Sequence, residues 1–315
     1  MGYSLGIPET FKVPPWLART LIALRLEPLQ SVDAQEYWRI YVDGRTDLPT
    51  RSVPAHIERY LALPKEEQRT HYAIRKGEAM IGTVRLLPDS ISGFSLVPPE
   101  TAEARPAIIK AVDLLRSGGA GSITASFGED YAPDFEALGF RPLVARMRME
   151  AATRGMPIEG IRLKPPEEGE IPGLTRFFMD VYEGHMDQQY GLHTGSEEDW
   201  RGYITGILRG ETGRFMPEAS FVCLDADRIV GAILLCHWMG SPLISEVGVA
   251  PDRRRRGIGF GLLAAASTRL EALEETRWAL YVTVGNEPAI GLYRKFGFMQ
   301  TGGQTVTARL EAPSV

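Results

Sequence analysis

The sequence predicts an α+β chain built from two related domains in tandem, and three observations predict it. Three pairs of segments recur in the same order along the chain. The β-type runs of each copy alternate with stretches of helical spacing. The length, 315 residues, suits two ordinary domains better than one. A content of 44% hydrophobic and 24% charged residues is that of a globular protein and excludes the disordered and fibrous classes.

The recurrence runs as follows. "LRLEPLQSVDAQEYWRIYVDG" from Leu24 and "IRLKPPEEGEIPGLTRFFMDVYEG" from Ile161 each read as a short strand, a proline, acidic residues placed to cap, and a helix carrying aromatics. "YAIRKGEAMIGTVRLLPD" and "FVCLDADRIVGAILLCHW" each read as two β-rich runs joined by a charged turn. "FEALGFRPLVARMRMEA" and "LYRKFGFMQTGGQTVTARLEA" each give a helix end, a Gly-Phe step and an alternating strand. The spacing between copies grows from 137 (Arg25 to Arg162) through 149 (Gly82 to Gly231) to 158 (Gly139 to Gly297), so the second copy has longer connections. The join is expected at 152–160, "ATRGMPIEG", giving domains 1–151 and 161–315.

Later in the second copy comes "VAPDRRRRGIGFGLL". A strand ends at Val249, Pro251 stops it, and a helix is expected to begin near Gly259, with Leu262, Leu263, Ala266, Leu270 and Leu273 at helical spacing. Glycines let backbone N–H groups converge, and a helix start adds unpaired donors and partial positive charge. The arginines add forked donors, so the stretch is suited to a phosphate or pyrophosphate. It has no Gly-Lys-Ser/Thr and no Gly-x-Gly-x-x-Gly, which excludes the P-loop and the dinucleotide fingerprint. "WALYVTV" (278–284) then reads as a strand, and "EPAIGLYRKFGF" as a helix with Pro288 in its first turn and Gly297 as its stop.

Arg254, Arg255, Arg256, Gly257, Ile258 and Gly259 resemble the acyl-CoA pyrophosphate loop of the GNAT superfamily of N-acetyltransferases, and the downstream "VGNEPAIGLYRKFGF" resembles the second half of that family's pattern. The resemblance covers residues 160–311 and reaches 24–151 only through the internal repeat. It implies two tandem GNAT (acyl-CoA N-acyltransferase) folds, each a mixed, mostly antiparallel twisted sheet flanked by helices. This arrangement is similar to that of mycothiol synthases and some other acetyltransferases. The first copy has "SLVPPETAEARP" where the loop belongs and Phe135 where the second has Tyr293, so it is expected to be degenerate and to bind no CoA in the usual way.

The resemblance further implies acetyl-CoA as acyl donor and direct attack by an amine while both substrates are bound. Val247 and Val249 would offer backbone groups to the pantetheine arm and the acyl carbonyl. Asn286 matches a residue that bonds the pantetheine region, and equally reads as the N-cap of the helix after it. Tyr293 matches the general acid, a phenol suited to protonating a thiolate, and is otherwise a core tyrosine. Glu246 would take the amine's proton directly or through water, and is otherwise a solvated strand glutamate. The segment "YEGHMDQQYGLHTGSEEDW", with His185, Asp187, His193, Glu197, Glu198 and Asp199, is expected to meet a small-molecule or peptide amine; its histidines lack a metal-ligand spacing.

The formal net charge of −5 and a pI near 5.7 argue against a nucleic-acid partner despite the four arginines. Cys223 and Cys236 sit in apolar runs and read as core residues, with no disulfide framework. No run approaches the roughly 18 apolar residues of a membrane helix, the N-terminus has no signal layout, and Gly6 breaks a myristoylation pattern. A cytoplasmic monomer or homodimer is expected. The rival from another class is a regulator that binds acyl-CoA in the same pocket without turnover.

Overall fold

The computed structural model describes residues 24–48, 50–97, 100–158, 160–191 and 193–312. The N-terminal stretch read for signals lies outside the described residues, as do Pro98 and Pro99 of "SLVPPE". Two compact units divide the chain, and only one of them is contiguous in sequence. One holds the described residues up to Ala145 together with those from Gly302 onward; the other is Arg146–Thr301.

The first unit opens with β1 (Leu24–Pro28), α1 (Ala34–Asp43), α2 (Val53–Ala62) and the short α3 (Lys65–Gln68). There follow β2 (His71–Lys76), β3 (Ala79–Leu87), β4 (Ser90–Leu96), α4 (Ala104–Ser117), β5 (Ile123–Gly128) and α5 (Ala132–Ala137). β1 to β4 pair antiparallel in chain order. β4 and β5 pair parallel, and such a pair needs the crossover that α4 supplies. The core is formed by one sheet face with α4 and α5, Phe94, Phe127 and Phe135 being fully buried. A satellite cluster around Tyr37, Trp38 and Tyr60 lies under α1 and α2.

The second unit takes most of β6 (Arg141–Ala152), then β7 (Arg162–Lys164), α6 (Ile171–Tyr182), α7 (Glu197–Leu208), β8 (Arg214–Phe215), β9 (Phe221–Asp225), β10 (Arg228–Trp238) and β11 (Ser241–Val249). It closes with α8 (Ile258–Ala272), β12 (Arg277–Thr283), α9 (Glu287–Phe296) and the start of β13 (Met299–Leu310). Its strand order is β6-β12-β11-β10-β9-β7, with β8 beside β10. Only β11 and β12 pair parallel, and α8 makes that crossover. Both units are therefore the mixed, mostly antiparallel sheets with flanking helices that the sequence predicts.

Each unit is completed by a strand from the far part of the chain. Thr305–Leu310 of β13 pair with β5, placing Val306 and Ala308 in the first core. Arg146–Ala152 of β6 pair with β12, placing Met147, Met149 and Ala151 in the second. The repeated "Gly-Phe then strand" segments are thus both strands, each leaving the helix of one unit for the sheet of the other.

Several expectations are met in detail. Cys223 and Cys236 are buried and free. Gly297 takes φ 114° at the end of α9, and Pro288 sits in its first turn. Glu167 and Glu170 form a capping box ahead of α6. Leu273 departs from expectation: α8 ends at Ala272, and Leu273, its C-cap, is exposed because the chain turns away there.

Candidate active site

The site begins where β11 and β12 part. Their only register pair is Leu243 with Ala279, so Glu246–Val249 and Tyr281–Thr283 face each other unpaired. A bulge at Ser245, opposite Leu234/Leu235 of β10, adds a local bend to β11. The parted strands form one wall of a cavity of ≈ 1350 Å³ that lies within the second unit. Gly248 lets α6 come close on one side, since a Cβ there would meet Val181 at 3.0 Å.

At one end of the cavity stands the start of α8. Gly257 is its N-cap, in the left-handed region at φ 82°, and no side chain caps the helix. The first N–H groups of Ile258, Gly259 and Phe260 are left open for an external acceptor. Gly259 packs against Leu292, which a Cβ would meet at 3.1 Å. Arg254 donates from Nε to the Val249 carbonyl (3.2 Å) and from Nη2 to the Val181 carbonyl (3.1 Å), fastening the loop to β11 and α6. Arg255, at φ 62°, also lines the cavity, whereas Arg256 does not. Arg253 is neutralised by Asp225 (2.7 Å) and Asp252 (3.1 Å). The open helix start, the arginines beside it and Lys295 of α9 fit a pyrophosphate-bearing ligand.

At the other end lies Glu246, whose alternative reading as a solvated strand glutamate the structure excludes, for it is buried. Its carboxylate accepts from the Tyr182 hydroxyl at 2.7 Å, the Tyr203 hydroxyl at 2.7 Å and His193 Nε2 at 3.2 Å. His193 Nδ1 lies 3.4 Å from Asp187 Oδ2, so the imidazole is held between two carboxylates. Burial works against its charge, but Asp187 and Glu246 outweigh burial and raise its pKa to about 9. The ring stacks on Tyr182 at 3.8 Å, and His193 itself adopts φ 52°, a conformation few non-glycine residues take. Burial also opposes charge on Asp187, yet His193 and Thr283 hold its carboxyl below the usual range.

Tyr293 lines the cavity from α9 and is also a core residue, in an edge contact with Phe298 at 5.8 Å. Burial first, and then Glu246, push its phenol well above the ordinary value, which keeps it protonated. Asn286 is the N-cap of α9: its Oδ1 accepts from the Ala289 N–H at 3.3 Å, while its Nδ2 lies 3.2 Å from His185 Nε2 at the cavity wall. Both readings of Asn286 thus remain compatible with its position.

Of the charged and histidine residues expected to meet the acceptor, His185, Asp187, His193 and Asp199 reach the cavity. Glu197, Glu198 and Asp199 open α7, where Asp199 forms a capping box with Ser196 and Glu197 pairs with Arg201. They are helix-start charges rather than loop residues. Sequence reasoning missed Tyr182, Tyr203 and Arg146. Tyr203 hides in the apolar stripe Trp200, Tyr203, Ile204, Ile207 of α7, and its hydroxyl is the only sign of a polar task. Among the described residues no group of three His, Cys, Asp or Glu side chains is placed to hold a metal.

The first unit has the same parting of parallel strands, but aromatic side chains fill it. β4 and β5 pair only at Ser90–Thr124 and Ile91–Ala125. Beyond that, Phe135 stacks on Phe127 at 3.8 Å and Tyr131 meets Phe94 edge-on at 4.9 Å. The Leu96 N–H, at the end of β4, donates to the Tyr131 hydroxyl at 3.0 Å.

In the second unit an open helix start stands beside parted parallel strands that lead to a carboxylate and a phenol. Residues 177–298 match the acetyltransferase (GNAT) family. The mycothiol acetyltransferase of Clavibacter michiganensis subsp. michiganensis is 30% identical over 184 residues, which are 57% of this chain and 55% of the relative. The chain spans about half the length of the curated relatives it matches. Among solved structures, a GCN5-related N-acetyltransferase from Sphaerobacter thermophilus matches with TM-score 0.69 and 16% identity, covering 96% of this chain and 98% of that one. A tandem GNAT protein from the clavulanic acid biosynthesis pathway matches with TM-score 0.59 and 13% identity, covering 93% and 99%. These likenesses show the fold.

Proposed function

We propose that the protein is an N-acetyltransferase that moves the acetyl group of acetyl-CoA to an amine, with a single active site in the second unit. The observation that carries this reading is the uncapped, arginine-flanked start of α8 opening into the cavity that holds Glu246 and Tyr293. The match of that region to the acetyltransferase family and the likeness to mycothiol acetyltransferases support it.

The donor's pyrophosphate would be held by the N–H groups of Ile258 and Gly259 with Arg254 and Arg255, its arm lying along the unpaired edge of β11. The amine nitrogen attacks the thioester carbonyl carbon, forming a C–N bond while the C–S bond breaks. The departing thiolate takes the Tyr293 phenol proton, which burial keeps in place until a base appears. The nitrogen's proton passes to the Glu246 carboxylate, directly or through water. Tyr182, Tyr203 and His193 hold that carboxylate in one orientation, and such fixed geometry is what proton transfer needs. In the first unit the Leu96 N–H and the strand gap are already occupied, which supports one active site rather than two.

Release of free thiol from acetyl-CoA with a panel of amines tests the reading. Amine-dependent release above background hydrolysis is expected. Tight acetyl-CoA binding with no release on any amine would make the protein a binding regulator instead.

A further inference from the structure

Besides His193, held between Asp187 and Glu246, the cations lining the cavity fall into two groups. Arg253, Arg254, Arg255 and Lys295 belong to the loop and helices at the α8 end. Arg146 enters the lining from β6, opposite Thr283 in the β6–β12 ladder. Its neighbours on the same face of that strand are neutralised: Arg148 pairs with Glu150, and so does Arg277 at 2.9 Å from across the ladder. Among the described residues Arg146 has no such carboxylate partner. Its Nη2 reaches the Tyr281 carbonyl at 3.4 Å, the outer limit of a hydrogen bond. Its guanidinium carbon lies 6.0 Å from the Tyr281 ring centre, and its Nε is buried without a partner.

A half-buried guanidinium with unfilled donors, facing a cavity, is a site for a planar anion, because its fork matches a carboxylate. We propose that Arg146 binds a carboxylate carried by the amine acceptor, so that the acceptor class is an amino acid or short peptide with its carboxylate near the reacting amine. This rests on the acetyl-transfer reading and adds to it the chemistry of the acceptor. A monoanion fits better than a phosphate dianion, because Glu246 and Asp187 line the same cavity and repel the greater charge. Arg146 also faces the reacting groups. Burial first, and then Glu246, raise the Tyr203 and Tyr293 phenols, while the Arg146 charge acts against that rise at each.

The test compares dipeptides bearing a free C-terminal carboxylate with the same dipeptides as C-terminal amides, alanyl-alanine and its amide first. Wild-type protein is expected to favour the acid by about tenfold or more in kcat/KM. Arg146→Met should bring the ratio of acid to amide kcat/KM down to about one, leaving the acetyl-CoA KM unchanged. Arg146→Lys should restore part of the preference. Equal use of acid and amide by wild type overturns the proposal, as does an Arg146→Met variant that loses activity on both alike. Calorimetric binding of the N-acetylated dipeptide acid and amide reads the same contact without turnover. If the transfer reading fails, tighter binding of the acid still supports the Arg146 site, and equal binding sinks it.

Discussion

Tyr293 and Glu246 occupy the two sides of the proposed transfer, and the structure gives them different constraints. Tyr293 is held protonated by burial and is free to give its proton to a thiolate. Tyr293→Phe is expected to lower kcat by about 10²-fold or more, within the usual range for a lost acid, with little change in the acetyl-CoA KM. Steady-state kinetics on a working amine will show it, and an unchanged kcat returns Tyr293 to the core. His193 makes a prediction about stability. Its pKa is raised to about 9 by Asp187 and Glu246 against the opposing effect of burial. The stabilisation is therefore fully present below about pH 6.5 and is lost as pH rises through about 9. The shift corresponds to on the order of 3 kcal/mol. Denaturant unfolding at pH 6.5 and 9.5 should show wild type losing more stability than His193→Gln across that window. Equal losses would mean His193 is not charged in the folded state. The residue scale is also where the sequence was least legible. Glu246, Tyr293 and Asn286 were found through the motif around them, but the donors on Glu246 come from three separate segments at positions 182, 193 and 203. No local pattern announces that they converge.

At the scale of elements, the α8 start is the most legible part of the molecule. Proline, arginine and glycine are each required by local backbone geometry, so their order alone predicted strand, turn and helix. Arg254→Glu with Gly257→Asp should abolish acetyl-CoA binding while the circular dichroism spectrum stays that of wild type. Binding that persists in calorimetry would detach the loop from the donor. The aromatic layer beneath α1 and α2 sets a contrasting pH window. Burial, aided by Arg85, lowers the pKa of His71 to about 4, and burial lowers that of His56. Histidines kept neutral in the fold stabilise it above about pH 6.5, and that contribution fades as pH falls through about 4. Hydrogen exchange should therefore show β2, α1 and α2 opening early on acidification, and His71→Phe should reduce that sensitivity. Early opening confined to other elements would contradict this assignment.

On the scale of the whole molecule, the internal repeat disclosed two related folds, because each copy keeps the same strand and helix order. The ownership of the last strand in each copy could not be read. "RPLVARMRMEA" and "MQTGGQTVTARLEA" alternate equally well whichever sheet they join, and pairing partners distant in sequence leave no local signature. Gly302 shows how closely the returning strand is fitted. It has φ 72°, and a Cβ there would collide with the Thr46 carbonyl oxygen within the first unit. A chain ended at residue 301 should lose the cooperative unfolding of the first unit, since β5 keeps only its short pairing with β4 and Val306 and Ala308 leave the core. Limited proteolysis will report it, and a protected first unit in the shortened chain would contradict the strand assignment.

The central claim is that the second unit alone transfers acetyl groups through the α8 loop and the Glu246–Tyr293 cavity. Mass spectrometric detection of N-acetylated product from acetyl-CoA and an amine panel tests it most directly, with wild type beside the Arg254→Glu, Gly257→Asp variant. The account predicts acetylated amine from wild type and background levels from the variant. Acetylation that survives in the folded variant, or no acetylated amine from wild-type protein that binds acetyl-CoA, would contradict it.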